Sequence, residues 1–234
     1  MDLIRMTMQN PFRVLGASAE DTRETLIEKQ REMALWGENA RGEQALSALL
    51  YPQSRLEAEL RWFPCTAGEE IGKLLDGLSR PRGWQPVQLF HTDAFLARFN
   101  ALRLQLLAFP IRNVRELAAL IHSLCTVADA LLPAQVMEEI NRDRAKSGFS
   151  QLRNPNELDA LLTVLLRETV RAFLAACPPA VKPSELGALG TQLQKDMKDR
   201  DSVYHNSYLL DLAAEEIPLW NSSHGAQPQK ASGR

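Results

Sequence analysis

Two places in the sequence hold residue types that could do chemistry at a useful spacing. His122 and Cys125 stand three apart in a helical stretch, so both side chains can point to one spot, as metal ligands do. A zinc site needs about three or four such ligands. The other histidines, His91, His205 and His224, are scattered, and no second close His/Cys pair exists. A packed or surface histidine is the simpler reading, and no metal is expected. The second place is Asp199–Tyr208, where Asp199, Arg200 and Asp201 precede Tyr204-His205-Asn206-Ser207-Tyr208. A nucleophile there would be Ser202 or Ser207, activated by His205 with an acid orienting the ring. Residues this close in sequence rarely converge on one point, and a turn with helix caps explains them more simply. No catalytic residue is assigned. A helical enzyme of unfamiliar class using Asp199–Tyr208 stands as the alternative reading.

Phosphate cradles are absent from the sequence: there is no Gly-x-Gly-x-x-Gly and no Gly-x-x-x-x-Gly-Lys-Ser/Thr. No cofactor is expected. A formal net charge of −2, with acids and bases interleaved, gives no basic patch for nucleic acid. Nowhere do about 18 apolar residues run without a charge, so no membrane insertion is expected. The richest stretch, Leu158–Cys177, is interrupted by Arg167, Glu168 and Arg171. The N-terminal residues lack the long apolar region of a signal peptide. Three cysteines with no close pair suit reduced thiols, and a cytoplasmic location is expected.

The elements that must carry these residues are helical throughout, so the fold class is all-α. Pro11 starts a short helix that Gly16 ends, and Thr22 caps a second one running to about Trp36, with Gly37 as its stop. A third, from about Gly42, carries Ala45, Leu49, Leu56 and Leu60, with Pro52 kinking it or starting a new turn. A short helix follows at Glu69–Leu78. Gly and Pro then punctuate the chain, and residues 79–90 read as a linker. Beyond it, apolar stripes predict helices at Asp93–Phe109, Asn113–Leu132, Pro133–Ser147 and Glu157–Cys177, with weaker ones at Ser184–Asp199 and Tyr204–Leu219. The domain reading is therefore an N-terminal helical module over 1–78, a linker over 79–90, a helical bundle over 91–220 and a disordered tail over 221–234.

The N-terminal module carries a resemblance. Asn10-Pro11-Phe12-Arg13-Val14-Leu15-Gly16 opens it, and Ala45-Leu46-Ser47-Ala48-Leu49-Leu50-Tyr51-Pro52-Gln53-Ser54-Arg55 lies near its end. Residues 10–63 resemble the J-domain (DnaJ-like) family: an aromatic-x-x-Leu-Gly entry, a second helix, and a third-helix pattern ending in Pro and a downstream Arg. In that family a His-Pro-Asp between the second and third helices stimulates the ATPase of a DnaK-type chaperone. Here Glu38-Asn39-Ala40 occupies that place, and Ala58-Glu59 stands where Tyr-Asp is usual. Relatives also steer the chaperone with a positive second helix. Arg23, Lys29 and Arg31 are opposed here by Glu24, Glu28 and Glu32, which cancels that field.

The resemblance implies a J-like module, all-α in fold, that has lost its trigger. The function expected is a non-catalytic protein-interaction or co-chaperone-like adaptor, its partner a protein such as a chaperone or a chaperone's client. A structural subunit of a larger bacterial assembly is a further alternative.

Overall fold

A computed structural model describes residues 2–78, 93–108, 110–177 and 181–224. Among the described residues there are twelve helices and no strand, as the sequence periodicity requires. They fall into two compact units. The first joins Asp2–Phe109 with Ala130–Leu165, and the second joins Pro110–Asp129 with Leu166–Arg234.

The first unit opens with α1 (Leu3–Met8), a helix the sequence reading did not anticipate. Asp2 nucleates it by accepting a hydrogen bond from the Arg5 amide. In α2 (Pro11–Val14), Pro11 supplies a preset φ, and the Asn10 side chain accepts from the Phe12 amide. The same Asn10 donates to the Ala58 carbonyl, so one residue caps a helix and ties it to a distant one. Helix α3 (Arg23–Leu35) starts under its expected cap, with Thr22 accepting from the Thr25 amide. Gly37, at φ +81°, turns the chain through a left-handed conformation, where any Cβ would be strained. The chain then returns as α4 (Asn39–Leu50), packed against α3 and α2. The helices meet closely at Gly42, where a Cβ would stand 3.4 Å from Gln30 and 3.5 Å from Met33, in ordinary van der Waals contact.

Pro52 does not kink a continuous helix; it occupies the first turn of a new one, α5 (Pro52–Leu60), after an extended Tyr51. Helix α6 (Gly68–Leu78) matches expectation closely. α7 (Phe95–Leu107) packs against α1, α6 and α9 (Pro133–Ser147). The apolar floor of the unit includes Phe12, Leu26, Leu49, Trp62, Phe63, Leu74 and Phe99, all buried, with Trp62 stacked on Phe12 at 5.9 Å.

The second unit packs α8 (Val114–Ala128), α11 (Pro183–Lys198) and α12 (Tyr208–His224) against one another. Asn113 caps α8 as expected, while Glu116 reaches back to the Arg112 amide. Between the units in sequence, α10 (Asn156–Ala175) gives residues to both.

This grouping differs from a division into 1–78 and 91–220. Helices α7 and α9 belong with the N-terminal helices, because Asn100 donates to the Leu60 and Trp62 carbonyls and Arg144 binds Glu59. Helical periodicity reveals that a face is apolar, not which neighbour it meets. The proposed linker, 79–90, lies outside the described residues. The tail reading is corrected in part: Asn221–His224 continue α12 past Pro218. The hydroxyls of Ser222 and Ser223 donate to the Leu219 carbonyl, and Asn221 donates to the Pro183 carbonyl. Residues 225–234 lie outside the described residues. Among the described residues no single helix is long and apolar enough to cross a membrane.

Candidate functional site

The turn between α3 and α4 is closed on itself by its own polar side chains. Glu38 accepts from Arg41 at 3.0 Å. Asn39 accepts from Gln30 and donates to Glu43, both at 2.9 Å. Ala40 is exposed and offers no functional group. Just before the turn, Leu35 and Trp36 stand 85% and 86% exposed, a large apolar pair at the tip of a hairpin. On α3, Arg23 and Arg31 face solvent, but Lys29 is engaged locally: it donates to the Gly16 carbonyl at 2.7 Å and lies 3.6 Å from Asp21.

In the second unit, the Asp199–Tyr208 segment forms a turn and a helix start. Ser202 Oγ accepts from the Tyr204 amide, and His205 Nδ1 sits 3.1 Å from the Met197 carbonyl. Ser207 is buried at the entrance of α12, where Asp129 accepts from the Tyr208 amide. Ser202 and His205 are thus engaged in local turn contacts. A contact that sequence could not reveal lies beside them: His122 Nε2 is 3.2 Å from Asp196 Oδ2, with the ring stacked on Tyr204 at 4.4 Å. Cys125 does not join it. Its thiol donates to the Ile121 carbonyl, and burial pushes its pKa up to about 12. Among the described residues no group of three or more His, Cys, Asp or Glu is gathered as metal ligands.

The densest polar chemistry lies in the first unit and was missed at the level of sequence. Glu59, on α5, holds two guanidinium groups in its buried carboxylate. Arg55 Nε donates to Oε1 at 2.8 Å, and Arg144, from α9, forks onto the same group with Nη2–Oε2 at 2.7 Å. Their side chains are only 1%, 3% and 6% exposed for Arg55, Glu59 and Arg144. Arg55 also donates to the Ala19 and Leu49 carbonyls and lies 3.6 Å over the Phe149 ring. Arg144 donates to the Ser150 carbonyl. Burial lowers the Arg55 pKa, Glu59 opposes that, and the positive Arg144 adds to it. The Arg55–Glu59 half of this set is an i, i+4 pair that the sequence could have offered; Arg144, 85 residues from Glu59, could not be read there. Beside it opens a cavity of about 480 Å³, lined by Arg23, Arg55, Arg144, Lys146, Phe149 and Leu50 among others.

Behind α9's other edge, Glu139 accepts from the Phe95 and Leu96 amides and thereby caps α7. One turn on, Asp143 accepts from the Cys65 amide at 2.9 Å. Burial raises the pKa of both acids. Cys65 takes an unusual φ of +54°, and burial first, then Asp143, pushes its thiol up to about 11. A protonated, half-buried thiol is a poor nucleophile. Set against known proteins, the chain matches no family model, no curated protein and no solved structure.

Proposed function

We propose that the chain is a non-catalytic, co-chaperone-like adaptor whose α2–α5 region is a degenerate J-like module that does not stimulate a DnaK-type ATPase. The observation that carries the reading is the α3–α4 turn. Asn39 is held by Gln30 and Glu43, and the turn carries no imidazole; its carboxylate, Glu38, is shared with Arg41. Leu35 and Trp36 instead offer apolar surface to a protein partner. The short α2 packed on α4, the α3–α4 hairpin and the Pro52-initiated α5 support the resemblance over residues 10–63. Exposed Glu24, Glu28 and Glu32 beside Arg23 and Arg31 supply no net positive face. We place its action in the cytoplasm, a setting that suits Cys65, Cys125 and Cys177 as free thiols.

The test is single-turnover ATP hydrolysis by a purified DnaK-type chaperone with and without the full chain. The expected rate is unchanged by the chain. Acceleration of several-fold, lost on substituting Glu38 or Asn39, overturns the proposal.

A further inference from the structure

The tip of the α3–α4 hairpin joins an apolar pair to unmatched acids. Leu35 and Trp36 stand 85% and 86% exposed, so two large side chains lie almost wholly in water. The turn that presents them is held in place. Gly37 takes φ +81°, and Asn39 is bonded to Gln30 on α3 and to Glu43 on α4. Glu28 and Glu32 stand eight and four residues before Trp36, so their carboxylates follow one side of α3 up to the indole. Neither has an ion-pair partner among the described residues, since Lys29 lies against Asp21 and Arg41 against Glu38. The remaining base between Glu28 and Glu43 is Arg31. Counted whole, from Asp21 to Leu50, the hairpin carries six acids and four bases. Its surplus is negative.

We infer that this tip docks a basic peptide segment, a Lys or Arg of the partner lying against the Glu32 carboxylate and the Trp36 ring while a neighbouring aliphatic side chain covers Leu35. The face of an indole attracts a cation more strongly than any other aromatic side chain, and a carboxylate beside it adds to that attraction. The negative surplus of the hairpin repels an acidic peptide, a nucleic acid or the same tip of a second copy, and draws in a basic segment. A turn already fixed by Asn39 spends little ordering entropy when the partner arrives. The inference rests on the adaptor reading, and supplies a chemistry for its partner.

The probe is a fluorescein-labelled peptide of repeating Ala-Leu-Lys, titrated with the full chain by anisotropy, beside one peptide with Gln in place of Lys and another with Ala in place of Leu. The variants are Trp36→Ser and the double substitution Glu28→Gln with Glu32→Gln. A control pair, Glu138→Gln with Glu157→Gln, removes the same charge from exposed positions on α9 and α10. Circular dichroism confirms that each is folded. Saturable binding of the Lys peptide is expected, with both control peptides weaker, the Gln one about tenfold. Trp36→Ser should weaken binding about tenfold, and so should the Glu28/Glu32 pair, while the control pair leaves it in place. No binding to wild type, equal binding of either control peptide, indifference to Trp36→Ser, or equal weakening by the two double variants overturns the site. In sedimentation velocity the chain should show no dimer that depends on Trp36. Such a dimer, or attachment to phosphatidylcholine vesicles lost in Trp36→Ser, overturns the choice of a basic peptide. Chaperone stimulation would sink the adaptor reading yet leave these titrations unaltered, so the two failures can be told apart.

Discussion

The two units each solve the same electrostatic problem, and they solve it in different solvents. In the first, Glu59 is gripped by Arg55 and Arg144, and all three are almost wholly withdrawn from water. In the second, the buried Glu216 is gripped by Arg171 at 2.7 Å and by Arg167 at 3.4 Å, but those arginines remain 46% and 35% exposed. In both cases one buried acid is held by two bases. They differ in exposure and in one further acid, since Arg167 also pairs with the exposed Glu215 at 3.0 Å, and both differences lower what a broken pair costs in the second unit. A buried guanidinium that loses its carboxylate has nothing to turn to, whereas an exposed one is rehydrated.

The most direct way to break this comparison is to neutralise each acid in turn. Glu59→Gln leaves two buried guanidinium groups short of a counter-charge, and a loss of about 3–5 kcal/mol is expected. Glu216→Gln removes the same charge from arginines that can reach solvent, and a loss of about 1 kcal/mol is expected. Urea denaturation of the two variants measures both, provided the slopes stay equal to wild type. Equal losses would mean that burial is not what separates the two sets.

What the sequence made legible was mostly local. Thr22, Asn113 and Pro133 mark helix starts within one turn of themselves, so their roles can be read from neighbours in the chain. The pairs that give each unit its character are not local. Arg144 meets Glu59, Arg171 meets Glu216 and His122 meets Asp196 across tens of residues, and nothing in their spacing announces a partner. Helix α1 escaped because six residues with one buried leucine show no periodicity. The end of α12 escaped for the opposite reason: Asn221-Ser222-Ser223 reads as a polar tail until their side chains are seen bonding backward onto the helix and to Pro183.

The buried acids sharpen the contrast through pH. Glu139 and Asp143 in the first unit, and Asp129 in the second, all have pKa values raised by burial. A carboxyl whose folded pKa exceeds its unfolded value holds its proton more tightly when folded. Its contribution to stability therefore grows as pH falls through the folded pKa, and levels off below the unfolded value near about 4. Two such groups belong to the first unit and one to the second. Wild type should gain stability on going from neutral to mildly acid pH, by at most about 1.4 kcal/mol per pH unit for each proton taken up. In Asp143→Asn part of that gain should vanish. Denaturation at a series of pH values reads the slope, and a slope unchanged by the substitution would remove Asp143 from the account.

The smallest effect expected is also the one that separates stability from function. Leu35 and Trp36 lie within the first unit, yet their side chains touch little of it, and both stand more than four-fifths exposed. Surface substitutions of this kind ordinarily shift stability by no more than about 0.5 kcal/mol. Trp36→Ser should therefore leave the denaturation midpoint of the chain in place, in contrast to Glu59→Gln a short distance along the same unit. A marked loss of stability would mean that Trp36 is held by packing, and the hairpin tip would no longer qualify as a surface offered to a partner. An unchanged midpoint leaves the large apolar Trp36 in water with no role in holding the fold, which is the condition a protein-binding tip must meet.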